Sequence, residues 1–449
     1  MRVKLRSLVH AFAALTLSSG VAADERQTVP TDTSQVEVKQ LWESKSTEPT
    51  LPANDTYGTY DPGKGFLVAR TSQGELAISA YGMLRYINQL PASQSYTDHL
   101  GNQHPVDARQ DFWTHRIMIW LKGWMFNTKL IYTFTIWTVN TTDQDALFAN
   151  VGYQFSRHFN LYGGIAGNGG SRSLLGSHPY WLAHDRVMAD EFFRPYFGSA
   201  IYANGETVHG LWYHAMVGNS NSILGVKASQ LDREPTVSGS LWWMPTTSEF
   251  GPRGAYGDYE MHESLATRFG VSSCFSPEQR YNETGDPQNT TLKLTDAANV
   301  FSTGALAPGV TVQNVDYTIL SFDAGAKYKG WFLQGEYYTR WLDHFDADGA
   351  LPVDEIVDTG FYVQAACYPV RQRLELYVAT SQIYGDSDAG FGDASEYLIG
   401  ANFYPFNTRD TRLNIQYIDV NHSPVGSTFG HYTAGQNGET VAVSYSLMF

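Results

Sequence analysis

The 449-residue chain carries a formal charge of −15, with 43% hydrophobic, 14% aromatic and only 17% charged residues. So acidic a protein is a poor partner for nucleic acid, and two cysteines cannot make a disulfide framework. Forty-one glycines and many aromatics against few charges point to strands and tight turns rather than to a helical fold.

In chain order, Arg2, Lys4 and Arg6 stand without an acid, residues 8–17 are mostly apolar, and 21–23 are small. That sequence predicts a cleavable secretory signal peptide over 1–23, the alternative being a buried N-terminal helix. Residues 24–64 are polar and punctuated by Pro30, Pro49, Pro52 and Pro62, which predicts a periplasmic lead-in with a short helix near 36–43. No later stretch approaches the roughly 18 consecutive apolar residues of a membrane helix.

From Glu75 the apolar period becomes 2, with Leu76, Ile78, Ala80, Leu84 and Tyr86 on one face. The alternation predicts strands over 75–89, 111–125, 128–139, 146–155, 160–167, 194–203, 206–217, 237–246, 264–275, 316–328, 331–342, 359–369, 373–383, 395–405, 411–420 and 439–449. The last places Val441, Val443, Tyr445, Leu447 and Phe449 on one face and stops on that Phe. Every second connection is short, at 126–127, 156–159, Asn204-Gly205, 329–330, 370–372 and 406–410. Those between them are mostly long, at 90–110, 168–193, 218–236, 276–315, 343–358, 384–394 and 421–438. One connection, 247–263, is long where a short turn is due. An even number of strands with short turns at one end and long loops at the other predicts an all-β closed antiparallel transmembrane barrel of about sixteen strands over 65–449.

Sixteen strands leave a water-filled lumen that something must constrict. The loop 168–193 has the charges for it, with Arg172, His178, His184, Asp185, Arg186, Asp190 and Glu191 beside Trp181 and Phe192. It either folds inward to set pore radius and charge or forms an ordinary external lid. Strand parity points Arg85, Arg116, Lys122, Lys129, Arg268, Lys327, Arg340 and Arg373 into the lumen, against Asp323, Glu336, Glu375 and Glu396. The same parity puts Cys274 and Cys367 on opposite faces of the wall, both free. His344, Asp346, Asp348, Gly349 and Glu355 approximate a twelve-residue calcium loop with His at the first ligand position, and Asp386, Asp388 and Gly390 echo it. These loops are expected either to bind divalent cations weakly or to be merely solvated. No nucleophile elbow, HExxH or P-loop occurs, and neither an enzyme nor a cofactor is expected.

Gly65-Phe66 leading into Gly74-Glu75-Leu76, Arg116 to Gly123, Asp145-Ala146, and Phe193-Arg194-Pro195 followed by Gly198 resemble the phosphate-selective porin O/P family from about residue 65 to the end. The resemblance implies a homotrimer of sixteen-stranded channels in the bacterial outer membrane. In that family lysines at the constriction and arginines down the wall contact anions. The loop 168–193 has no lysine. The anion-contact candidates are therefore Arg85, Arg116, Lys122, Arg172, Arg186, Arg194, Arg268, Lys327, Arg340 and Arg373. The expected function is passive diffusion of small hydrophilic solutes with an anion or phosphate leaning, among outer-membrane lipid and lipopolysaccharide. Its rival is a structural or adhesive barrel that conducts little.

Overall fold

The computed structural model describes residues 65–139, 144–176, 178–219, 234–280, 292–426 and 430–449. The expected signal peptide and lead-in lie outside the described residues. The strands are β1 (Phe66–Thr71), β2 (Gly74–Pro91), β3 (Ser95–Thr97), β4 (Gln103–Pro105), β5 (Gln110–Met125), β6 (Asn127–Val139), β7 (Gln144–Gln154), β8 (Asn160–Gly167), β9 (Phe197–Val208), β10 (Leu211–Asn219), β11 (Pro235–Trp243), β12 (Ala266–Gln279), β13 (Val312–Tyr328), β14 (Trp331–Ala347), β15 (Glu355–Val370), β16 (Leu374–Tyr384), β17 (Ala394–Phe403), β18 (Thr411–Asn421) and β19 (Gly438–Met448).

Sixteen of these, β2 and β5 to β19, each pair antiparallel with the next, and β19 returns to β2 with Met448 opposite Tyr81. The barrel is closed. The lower part of the β2 edge is taken by β1, which turns back at Thr71 opposite Gly74. Phe449 completes the seam, exchanging hydrogen bonds with Ala80 at 3.0 and 3.1 Å and setting its ring 5.2 Å from that of Phe66. The small β3–β4 hairpin lies in the first long loop.

Alternation along each strand sorts side chains between two solvents. In β14, Trp331, Leu333 and Tyr337 are exposed outward, while Gln334, Glu336, Tyr338 and Arg340 are buried inward. In β18, Leu413, Ile415 and Tyr417 point out and Arg412, Asn414 and Gln416 point in. An apolar outer face continuing around the sheet, with Phe322, Ile399 and Ile201 all more than half exposed, is a surface for lipid. A closed barrel satisfies its backbone there without water. No helix among the described residues is long and apolar enough to cross a membrane.

One expected turn is corrected. Asn204-Gly205 is not a hairpin tip but lies inside β9, with Asn204 opposite His214 and Gly205 opposite Tyr213. The chain turns at His209-Gly210 instead, where Gly210 takes φ +77°. Asn-Gly is a strong turn signal in isolation. Here Asn204 is buried on the inner face, and Gly205 lies where a side chain would strike the carbonyl of His158. The strand expected at 194–203 accordingly runs from Phe197 to Val208. In β5 a bulge opposite Gly82 puts Arg116 at φ +55° and carries both His115 and Arg116 into the interior. Cys274 is buried inward, Cys367 is half-buried on a position of opposite parity, and both are free.

Candidate functional site

The loop between β8 and β9 folds inward and crosses the lumen. The structure decides for the constriction and against the external lid. Its anchors are backbone groups bonded to polar side chains of the wall. Gly169 N–H donates to Ser238 Oγ at 2.9 Å, Arg172 N–H to Glu336 Oε1 at 2.9 Å and Met188 N–H to Glu396 Oε2 at 2.9 Å. From the far wall, Asn402 Nδ2 donates to the Leu182 carbonyl at 2.9 Å, and the Arg412 guanidinium donates to the Trp181 and Ala183 carbonyls. Within the loop a short helix, α1 (Met188–Phe193), has Asp190 and Glu191 in its first turn.

The expected site residues fall into three groups. Arg116, Arg186, Arg194, Arg268 and Arg340 are buried and ion-paired, to Asp185 (2.6 Å), Asp190 (3.6 Å), Glu191 (2.8 Å), Asp323 (2.8 Å) and Asp358 (2.5 Å) respectively. Arg85, Arg172 and Lys327 are buried and donate to the carbonyls of Gly430 (2.8 Å), Gly254 (2.5 Å) and Phe250 (2.8 Å). The remaining two lie toward the short-turn end. Lys122 is half-buried near the short-turn end, opposite Ala77 and Thr133. Arg373 is exposed in the turn before Leu374, and Lys129 is exposed at the same end. Parity fails for Arg373 because the chain reverses through Gln372 at φ +53° before the strand begins.

The long connection 244–265 also folds inward, from the short-turn end. Phe250, Tyr256 and Asp258 are buried. It meets the inward loop directly, since Tyr256 N–H donates to the Tyr180 carbonyl at 2.9 Å and the Arg172 guanidinium lies 4.5 Å from the Tyr256 ring centre. His262 braces this turn between Asp258 and Glu249. Burial opposes its charged form, but hydrogen bonds to the two carboxylates outweigh burial and raise its pKa to about 9. Protonated, it donates to both carboxylates, and with Asp258 and Glu260 it forms a cluster whose ligand atoms lie close enough together to hold an ion. At the loop end, Leu292, Leu294, Val300 and Phe301 with Val425 and Tyr432 pack with Leu182, Met188 and Phe193 against Tyr338, Ile383 and Ile418 in one apolar cluster inside the barrel.

The calcium-loop spacing does not form a loop. His344 and Asp346 belong to β14, and Asp346 accepts from Asn314 while Asp348 accepts from the Thr311 N–H. Asp386 caps a single helical turn by accepting from the Asp388 N–H. Among the described residues, Asp316, Asp343 and His344 converge closely enough at the outer rim to hold an ion. Arg412 was within reach of the sequence, because its strand alternates cleanly. The partners of the cations, Asp185 and Asp358 among them, carry no local signal.

No family model matches the sequence, and no curated protein matches it. Solved structures are similar. One is OmpT, an outer membrane protein of Vibrio cholerae in a trimer form, at 10% identity over 83% of this chain and 99% of that one, with a TM-score of 0.50. The two chains share a fold. Also similar are an outer-membrane-expressed OmpT of the same organism (10%, 86% and 100%, 0.49) and the anion-selective porin from Comamonas acidovorans (11%, 84% and 100%, 0.48).

Proposed function

We propose that this chain is a porin of the bacterial outer membrane, exported by its signal peptide, which passes small hydrophilic solutes passively and is closed in the conformation described. The observation that carries this reading is the inward loop across a sixteen-stranded barrel. A barrel this wide cannot be filled by its own wall, and its inner face of Arg, Glu, Asn, Gln and Ser is suited to water. What fills it is loop and turn, held by hydrogen bonds and an ion pair to the wall and by packing of Leu182, Met188 and Phe193 in the apolar cluster. A homotrimer bordered by lipid and lipopolysaccharide is part of the same proposal.

Selectivity follows from the pairing. Five of the candidate arginines face a carboxylate within 3.6 Å, so their fields largely cancel and weak ion selectivity is expected. The anion or phosphate leaning implied by the resemblance to the O/P porins then rests on Arg85, Arg172 and Lys327, which donate to carbonyls. The apolar cluster at the loop end favours a second reading, a structural or adhesive barrel that stays shut.

Planar-bilayer recording of the purified barrel under a salt gradient, from pH 7 to 4.5 and with phosphate added, tests both. Conductance with a reversal potential near zero is expected. Strong anion selectivity with phosphate block would assign the field to Arg85, Arg172 and Lys327. Silence at every pH from a folded barrel would overturn the porin reading in favour of the structural one.

A further inference from the structure

Two segments that fill the loop end of the lumen meet at a pair of histidines. His184, on the inward loop, and His431, on the chain before β19, are each about 99% buried, with ring centres 4.8 Å apart and planes at 77°. Neither ring nitrogen of either residue has a hydrogen-bonding partner. Their neighbours are anchored. His184 N–H donates to Gln416 Oε1 at 3.2 Å, Gln89 donates to the His431 carbonyl at 3.0 Å, and Tyr432 Oη donates to the Arg186 carbonyl at 3.2 Å. The groups facing the pair are Arg85 from β2, Arg109 just before β5, His115 and Arg116 from β5, and Asp185 from the inward loop itself. Arg116 already holds Asp185. A proton placed on either imidazole would therefore enter a buried site among guanidinium groups, with no acceptor for its N–H.

We propose that His184 and His431 form an acid-sensitive latch that keeps the inward loop and the segment 430–437 docked in the lumen at neutral pH and releases them on acidification. The proposal rests on the porin reading. Burial, and after it the His431, Arg85, His115 and Arg116 charges, hold His184 well below the ordinary imidazole value. Burial likewise lowers His431 to about 3. In an open state the two rings regain water and a pKa near 6.5. Because the docked values are depressed, the docked state has its full advantage above about pH 6.5 and loses it as pH falls from there toward 3. Each imidazole shifts the open-to-closed ratio about tenfold per pH unit, and the pair about a hundredfold. His178, also buried on the inward loop, acts in the same direction, whereas burial raises Asp190, which acts against it.

Single-channel recording with the loop-side compartment taken from pH 7 to 4.5 tests the latch. Open probability should rise with acid, and the His184→Phe/His431→Phe double variant should lose about two protons from the slope, since Phe keeps the ring contact and cannot titrate. Hydroxyl-radical footprinting of wild-type Trp181 and Tyr432 gives a second measurement, with exposure of both expected to rise below pH 6. Conductance that is present but flat in pH, a double variant with the wild-type slope, or an unchanged footprint would each overturn the latch while leaving the porin reading intact.

Discussion

Charge in this lumen is arranged in buried couples: Arg116–Asp185 ties the inward loop to the wall, Arg186–Asp190 and Glu191–Arg194 lie along that loop, and Arg268–Asp323 and Arg340–Asp358 join neighbouring strands. Arg116 and Asp185 illustrate the consequence. Burial raises the Asp185 carboxyl, but Arg116 and Arg186 outweigh it and hold the acid ionised below its ordinary value. Removing one partner of a buried pair leaves the other charge uncompensated, at a cost of about 3–5 kcal/mol. Asp185→Asn should therefore loosen the inward loop by about that amount, seen as a lower urea midpoint for the refolded barrel by tryptophan fluorescence. A midpoint within error of wild type would show that Arg116 finds another acceptor. At this scale the sequence revealed the cations by parity but hid their partners, because Asp185 and Asp358 reach them across 69 and 18 residues of chain.

At the scale of elements, two kinds of segment behave differently. Strands declare themselves because one face meets lipid and the other the lumen, so the period of 2 is written over eight or more residues each. The inward loop and the 244–265 turn carry no period; length and a mixture of charges with aromatics mark the first, and length alone marks the second. Replacing residues 172–192 with a short Gly-Ser linker removes the crossing and its wall contacts. Conductance should rise severalfold at neutral pH with the barrel still heat-modifiable on gels. An unchanged conductance would place the barrier in the apolar cluster near Leu294, Phe301 and Tyr432 instead.

For the whole molecule the outer face is the constraint. Phe322, half exposed in the long strand β13, lies on the lipid side opposite Tyr337 and Val271. Arginine on the lipid face near the bilayer midplane costs about 2–4 kcal/mol. Phe322→Arg should lower barrel stability in vesicles by that amount. A loss below about 0.5 kcal/mol, the range of ordinary surface changes, would mean that this face does not meet the hydrocarbon core.

By itself the sequence determined the sixteen strands, their inward and outward faces and the alternation of short and long connections. Alternation and turn chemistry are local, and a membrane barrel repeats them at every strand. The tertiary structure alone decided that the long loop crosses the lumen, that a turn from the opposite end meets it, that Asn204-Gly205 stays in a strand and that Arg373 sits in a turn. It also decided that His184 and His431, 247 residues apart, share one buried site. The reason is that packing inside a wide barrel is set by which irregular segments happen to face each other across it, and such contacts leave no period along the chain.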